Sequence, residues 1–488
     1  MRGCTAGRDS SPNLPEEIKN ECQRIGPLSR VQNKKEEEMR AKRLSRREFL
    51  RGAALTGAGL VAAACAPPAT PPPPQIIKET VVVAGTPQVI EKVVTPTPAP
   101  TAAPTKLPAK DKILVGMSRP LSGPQAIVGD SAFRPIYETF VKEVNAAGGV
   151  YVKEYDKKLP IELKIYDDKS DIGTMTRLTE KLILEDKVDF LWPSASTAAI
   201  FAQAPIANKY GYLLITAEGG ATSIKDMLPS LPYVFVPLSF SDWYQLPVLA
   251  DLLAEKGAKT AYIVYIADLH GIEYSGVAGI EFPKKGIQIL GVKSVPPDIK
   301  DVSPLIKEAK AANADVFCCF AYPDQIMPAI GTSMALGFNP KAWVGGPGVN
   351  FGFFHTAFGK AVEGVTGFST YNPKQSAAAK ALADKLYTGK PEDVQDWWGH
   401  PLYWAGLEIW KQAVEKAGTL DQKKIRDIIA SEHFTTVLGD TWFTNGLLAK
   451  EAHTGEVGQW QNGVYEVIGP KGKATAGMVY PKPAWPAP

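Results

Sequence analysis

Residues 112–124 read KILVGMSRPLSGP, residues 129–152 GDSAFRPIYETFVKEVNAAGGVYV, and residues 159–171 LPIELKIYDDKSD. Ile113, Leu114 and Val115 form the short apolar run of a buried strand, and Ser122-Gly123-Pro124 closes it with turn chemistry. Phe133, Ile136, Tyr137, Phe140, Val141 and Val144 then fall three or four apart, on one face of a helix that Gly148-Gly149 ends. Ile161, Leu163 and Ile165 alternate toward Asp167-Asp168 as a second strand. Because a crossover helix joins them, the two strands lie parallel, and ligands of open parallel sheets bind beyond the strands' carboxyl ends.

The unit repeats. Strand signals recur at Phe190-Leu-Trp, Tyr212-Leu-Leu-Ile, Val234-Phe-Val, Ala261-Tyr-Ile-Val-Tyr, Ile287-Gln-Ile-Leu, Val316-Phe-Cys-Cys-Phe and Trp343-Val. Amphipathic stretches such as 174–185, 246–256 and 305–312 separate them. The alternation predicts an α/β protein with covered parallel sheets, and it holds too many strands for one compact sheet.

Leu121-Ser-Gly-Pro, Asn145-Ala-Ala-Gly-Gly-Val, Tyr166-Asp-Asp-Lys-Ser-Asp, Ala204-Pro-Ile-Ala, Asp315-Val-Phe and Val344-Gly-Gly resemble, in consistent order from Lys112 onward, the Leu/Ile/Val-binding protein family. Those are extracytoplasmic receptors of ABC importers for amino acids and related small molecules. The resemblance implies two Rossmann-like lobes around a ligand cleft, the type 1 periplasmic binding protein fold, with three chain crossings forming a hinge. It puts the crossings near Val236-Pro237, Ser369-Thr370 and Gly439-Asp440. One lobe is then 111–237 with 370–439, the other 238–369 with 440–488, with Asn462-Gly463 turning a terminal hairpin.

Upstream, residues 1–38 are polar and charged without an apolar period, so they are expected to be disordered, with Met39 read as the true start. Residues 39–65 carry Arg46-Arg47, an apolar stretch 52–64 too short to span a bilayer, and Cys65. This resembles a twin-arginine export signal ending in a lipoprotein cysteine, with an Ala-x-Ala soluble-secretion cut as the alternative. Residues 66–110, rich in Pro, Thr and Val, read as an extended, polyproline-like tether without a core.

Composition narrows the chemistry. The net charge of +3 is concentrated before residue 55, which argues against nucleic-acid binding. Cys318 and Cys319 are neighbours on one strand and point to opposite faces, so no disulfide is expected between them. His270, His355, His400, His433 and His453 show no metal-ligand spacing. Gly331-Thr-Ser333-Met-Ala335 is spelled like a subtilisin nucleophile segment but lacks companion His and Asp motifs, so a plain helix is expected. No catalytic set, cofactor or metal is expected, and binding is the reading that remains.

The best anion site is Pro193-Ser194-Ala195-Ser196-Thr197, where free amides open a helix after a strand. The resemblance implies that a hydroxyl here holds the ligand carboxylate: Thr197 first, Ser196 next. A second strip, Thr216-Ala217-Glu218-Gly219-Gly220, places Ala217, Glu218 and Gly220 at the ligand, with Gly220 where relatives carry threonine. A family aromatic falls at Val128, cleft tyrosines at His270 and at Ala321 or Tyr322, and the ammonium-binding carboxylate at Pro347. A leucine-type ligand therefore requires Glu218 to supply the charge, because a buried ammonium without an anion is costly. Trp243-Tyr244 are expected at the cleft mouth, and Trp397, Trp398, Tyr403, Trp404 and Trp410 as packing of a helix onto the first lobe. The expected whole is a monomeric, exported, lipid-anchored receptor that hands a small solute to an ABC permease, with a sensory receptor of the same fold or an exported enzyme as rivals.

Overall fold

The computed structural model describes residues 75–83, 86–94 and 109–486, except 220–221, 239, 388–394 and 454. Residues 1–38, the export residues Arg46 and Arg47, the lipidation candidate Cys65 and Gly220 lie outside the described residues. The chain divides into two units, Met1–Thr105 and Lys106–Pro488. In the first, β1 (Gln75–Val83) and β2 (Thr86–Val94) pair antiparallel from Gln75 opposite Val94 to Val83 opposite Thr86. This corrects the polyproline-like reading for these residues. Their Ile and Val content favours pairing, and the prolines cluster before residue 75 and after residue 94, with Pro87 confined to the start of β2.

The second unit is built on two larger sheets, of three and seven strands, with short two-stranded pairs beside them. The first is built on β3 (Ile113–Arg119), flanked in parallel by β4 (Ile161–Asp167) and β5 (Phe190–Leu191). The intervening helices are α1 (Arg134–Ala146), whose buried face is Ile136, Tyr137, Phe140 and Val144, and α2 (Ile172–Leu184), capped by Asp171 accepting from Thr174 N. After α3 (Thr197–Lys209) come β6 (Leu214–Ile215) and β7 (Val234–Phe235), paired in parallel.

The chain then passes through α4 (Leu246–Glu255), β8 (Thr260–Ile266), α5 (Leu269–Lys284), β9 (Gln288–Val295), α6 (Ser303–Ala312), β10 (Val316–Phe320), α7 (Pro323–Ala335), β11 (Ala342–Gly345) and β12 (Thr366–Ser369). It returns over the first core as α8 (Ala377–Leu386) and α9 (Gly399–Ala417), then as the strand pairs β13 (Phe434–Thr436) with β14 (Gly439–Thr441) and β15 (Phe443–Thr444) with β16 (Leu447–Leu448). Finally β17 (Glu456–Gln461) and β18 (Val464–Gly469) join the second sheet, whose order is β9-β8-β10-β11-β12-β17-β18. Its first five strands are parallel and the last two antiparallel. The β17–β18 turn is Asn462-Gly463, both with positive φ, the conformation that Asn-Gly adopts at low cost.

Every residue of β10 is buried, as a central parallel strand covered on both faces demands. Cys318 packs into the core on one face and Cys319 into the core on the other, and both are free thiols. Ser333 sits inside α7, donating to Ala329 O at 2.7 Å, with Trp343 Nε1 at 3.4 Å, so the protease-like letters are core packing. The third crossing needs correction. Asp440 pairs with Thr435 in a hairpin that Gly439 turns at φ +98°, while Phe443 and Leu448 belong to the first core and Leu447 bridges Val236. The chain therefore crosses between Leu448 and Glu456, and residues 440–448 stay with the first lobe.

Candidate ligand-binding site

Three strand ends of the first sheet region converge on the cleft. After β5 the chain turns through Pro193-Ser194-Ala195 into Ser196, which has φ 81° and ψ 152°, a region that essentially only glycine tolerates. Its hydroxyl accepts from Ala199 N at 3.4 Å, capping α3. The strip after β6 lies directly against this turn: a Cβ on Gly219 would stand 2.5 Å from Ser196 C and 2.6 Å from Thr197 N, so only glycine allows the approach. After β3 comes Arg119, which the sequence reading did not single out.

Arg119 is entirely buried. Its Nη2 donates to Glu218 Oε2 at 2.8 Å and its Nη1 to Glu218 Oε1 and to Pro193 O, the latter at 3.0 Å. Nη2 also donates to Gly129 O, and Nε lies 3.6 Å from Asp130 Oδ1. Asp130 in turn accepts from Tyr137 Oη and Arg134 Nε, each at 2.8 Å. Burial pushes the Glu218 carboxyl up, to about 8, while the same pairing holds Arg119 firmly protonated. The two tendencies oppose each other, and the two-bond geometry, one oxygen to each Nη, is that of a carboxylate, so Glu218 is charged and neutralised by Arg119. Its charge is therefore taken up within the protein rather than offered to a ligand ammonium.

From the second lobe, α5 starts with Asp268 accepting from Gly271 N at 2.9 Å and sets His270 in the wall. The His270 ring stacks on Tyr322, 5.4 Å between centroids, and tilts against Tyr274 at 4.4 Å. Burial pushes the imidazole down to about 3, so it is neutral. The Tyr322 hydroxyl, at the start of α7, lies near Asp268 of its own lobe and near Thr197 of the other.

The residues gathered here enclose a cavity of about 80 Å³. The structure brings Ser196, Thr197, Ala217, Glu218, His270 and Tyr322 to its walls, and Pro347 as well. The sequence reading missed Phe133, Tyr274, Phe351 and Asp396, which line it too. Trp398 lines the cavity while also packing against the first core, and Trp397 belongs to the second core, whereas Tyr403, Trp404 and Trp410 pack in the first. Trp243, expected at the mouth, stacks over Lys225 at 4.2 Å and packs on the first core. A neighbouring outer cavity of about 390 Å³ carries Asp168, Asp171 and Asp268, and shares Gln125, Ala195, Ser196 and Tyr322 with the inner one.

Asp396 is 1 % exposed. It accepts from Trp398 N and Gly399 N at 2.9 Å each and from Asn350 Nδ2, and burial raises its carboxyl above the usual range. It reaches the cleft because its backbone bridges Phe351 and because it caps the start of α9. An acid three residues before an apolar helix was the available signal. Among the described residues no group of three or more His, Cys, Asp or Glu is placed to hold a metal ion.

A family model described as periplasmic binding protein matches residues 112–463. The chain belongs to this family. The binding protein is 25% identical over 340 residues to the leucine-, isoleucine-, valine-, threonine- and alanine-binding protein of Pseudomonas aeruginosa, spanning 69% of this chain and 86% of that one. It is 25% identical over 322 residues to a Leu/Ile/Val-binding protein homologue of Brucella melitensis, spanning 63% and 80%. Among solved structures its fold matches LivJ of Streptococcus pneumoniae in complex with isoleucine (TM-score 0.63, 19% identity, 76% of this chain and 100% of that one). It also matches a solute-binding protein of Rhodopseudomonas palustris in complex with 3,4-dihydroxybenzoic acid (TM-score 0.63, 19% identity, 73% and 95%). The type 1 fold expected from the sequence is the fold observed, and the binding protein takes a solute-binding role outside the cytoplasm. Among the described residues no helix is long and apolar enough to cross a membrane.

Proposed function

We propose that this chain is the substrate-binding component of an ABC importer, capturing a small amino acid-like, carboxylate or amide solute between its lobes and delivering it to a membrane permease. The observation that carries this reading is a single cavity walled by Ser196, Thr197 and Glu218 from one lobe and His270, Tyr274 and Tyr322 from the other. A solute touching both walls gains its full contacts only when the lobes approach, so binding energy selects the closed shape that a transporter can read.

Thermal melting of the full chain against amino acids, amides and small carboxylates tests the reading. A ligand at a hundredfold excess over its dissociation constant stabilises the folded state by about 2.7 kcal/mol. Absence of a shift across the panel counts against it. The export and anchoring assignments belong to the same proposal: Arg46 and Arg47 as the export address and Cys65 as the lipidated residue. Mass spectrometry of the mature N-terminus tests them, since a lipid on Cys65 supports the anchor and an unmodified cut beside it supports soluble release.

A further inference from the structure

Two acidic side chains face the inner cavity, Glu218 and Asp396. Glu218 is fully engaged by Arg119. Asp396 is different: its partners are an amide side chain and two backbone N–H groups, and no lysine or arginine pairs with it among the described residues. The neighbouring His400 is no counter-ion, because burial favours its neutral ring, whose nitrogens meet Tyr387 Oη at 3.0 Å and Ala132 O at 2.6 Å.

A carboxylate buried without a cation is costly unless it takes up a proton or an entering cation completes it, and the three donors on Asp396 offset only part of that cost. The surroundings suit a cation. Phe133, Tyr274, Tyr322, Phe351 and Trp398 present aromatic rings to the same space, and aromatic faces attract ammonium groups. Among the described residues no lysine or arginine lines the cavity, and His270 there is neutral, so a solute carrying two negative groups has only the start of α3 to meet them.

We propose that Asp396 is the anionic anchor of the cavity and that the solute carries an ammonium group, held between this carboxylate and the surrounding rings. The inference rests on the solute-binding reading above and moves the charge from the vacated family position, Pro347, to the segment that opens α9.

The test uses the full chain and matched probes: leucine, 4-methylpentanoate and isoamylamine, then phenylalanine, 3-phenylpropionate and 2-phenylethylamine. The expected result is a raised melting midpoint with members of either set that bear an amine and none with the deaminated acids. Asp396→Asn should weaken an amine-bearing probe about tenfold or more. Should that variant fail to fold, the panel on the unsubstituted chain decides alone. Equal shifts from 4-methylpentanoate and leucine, or from 3-phenylpropionate and phenylalanine, overturn the assignment while leaving solute binding intact. Unchanged affinity in Asp396→Asn overturns it too. No shift with any probe overturns both this assignment and the reading beneath it.

Discussion

The Arg119 guanidinium meets the Glu218 carboxylate end-on, Nη1 facing Oε1 and Nη2 donating to Oε2 at 2.8 Å, and neither side chain is exposed. Arg119→Ala is expected to destabilise the protein by about 3 kcal/mol or more, because Glu218 is left buried without its cation, whereas Asp130 keeps Arg134. Urea unfolding measures this, and a loss below about 1 kcal/mol is the outcome that contradicts a charged pair. Replacing both partners, Arg119→Met with Glu218→Gln, should recover much of the loss.

His270 and His453 are both held neutral, with pKa values pushed down to about 3 by burial. Their folded values lie below the ordinary 6.5, so the stability they allow is fully present above pH 6.5 and drains away as pH falls toward 3. Each contributes a slope of about 1.4 kcal/mol per pH unit across that window. His270→Gln should flatten the acid limb of a stability–pH profile by about one such slope; an unchanged profile would mean that His270 protonates freely.

Glu456 opens β17 opposite Ser369, the last residue of β12, and burial raises its carboxyl to about 7. With a folded value above the unfolded one, its contribution is present below pH 4.5 and lost as pH rises through 7. Glu456→Gln should therefore stabilise the protein at pH 8, by about 1–3 kcal/mol, and make little difference at pH 4. Melting scans at the two pH values check this.

Tyr322→Phe removes the hydroxyl that stands near Asp268 of its own lobe and Thr197 of the other. A polar contact across the cleft is worth about 1 kcal/mol, enough to enlarge the open population severalfold. The radius of gyration of the unliganded variant in small-angle scattering should increase, and an identical curve would show that this hydroxyl does not hold the lobes together.

Gly219→Ala places a Cβ 2.5 Å from the Ser196 carbonyl carbon, so the two strips must separate. The expected cost is about 1–3 kcal/mol, read in urea unfolding, with weaker solute binding in the same variant. Full retention of both would mean that the strips can part without consequence.

The alternating strands and helices were legible because apolar spacing records which face of an element is buried, and β3, α1 and β4 follow that spacing. The helix-start strip at Ser196 was legible for a related reason: it follows a strand's carboxyl end. Periodicity carries no information about partners, however. Arg119 and Glu218 are 99 residues apart and follow strands of different sheets, β3 and β6, so only the tertiary packing of the lobe brings them together. Asp396 escaped notice because its position depends on a backbone bridge to Phe351, 45 residues earlier. The β1–β2 hairpin was hidden by composition, since proline-rich flanks masked the β-branched residues between them.

Tyr322 stands in the wall common to the inner and outer cavities, with its hydroxyl near Thr197 of the opposite lobe. Passage between the two spaces runs past this one ring, so the ring's motion sets how long anything held in the inner space stays there. Affinities for competing solutes should then diverge through dissociation more than through encounter.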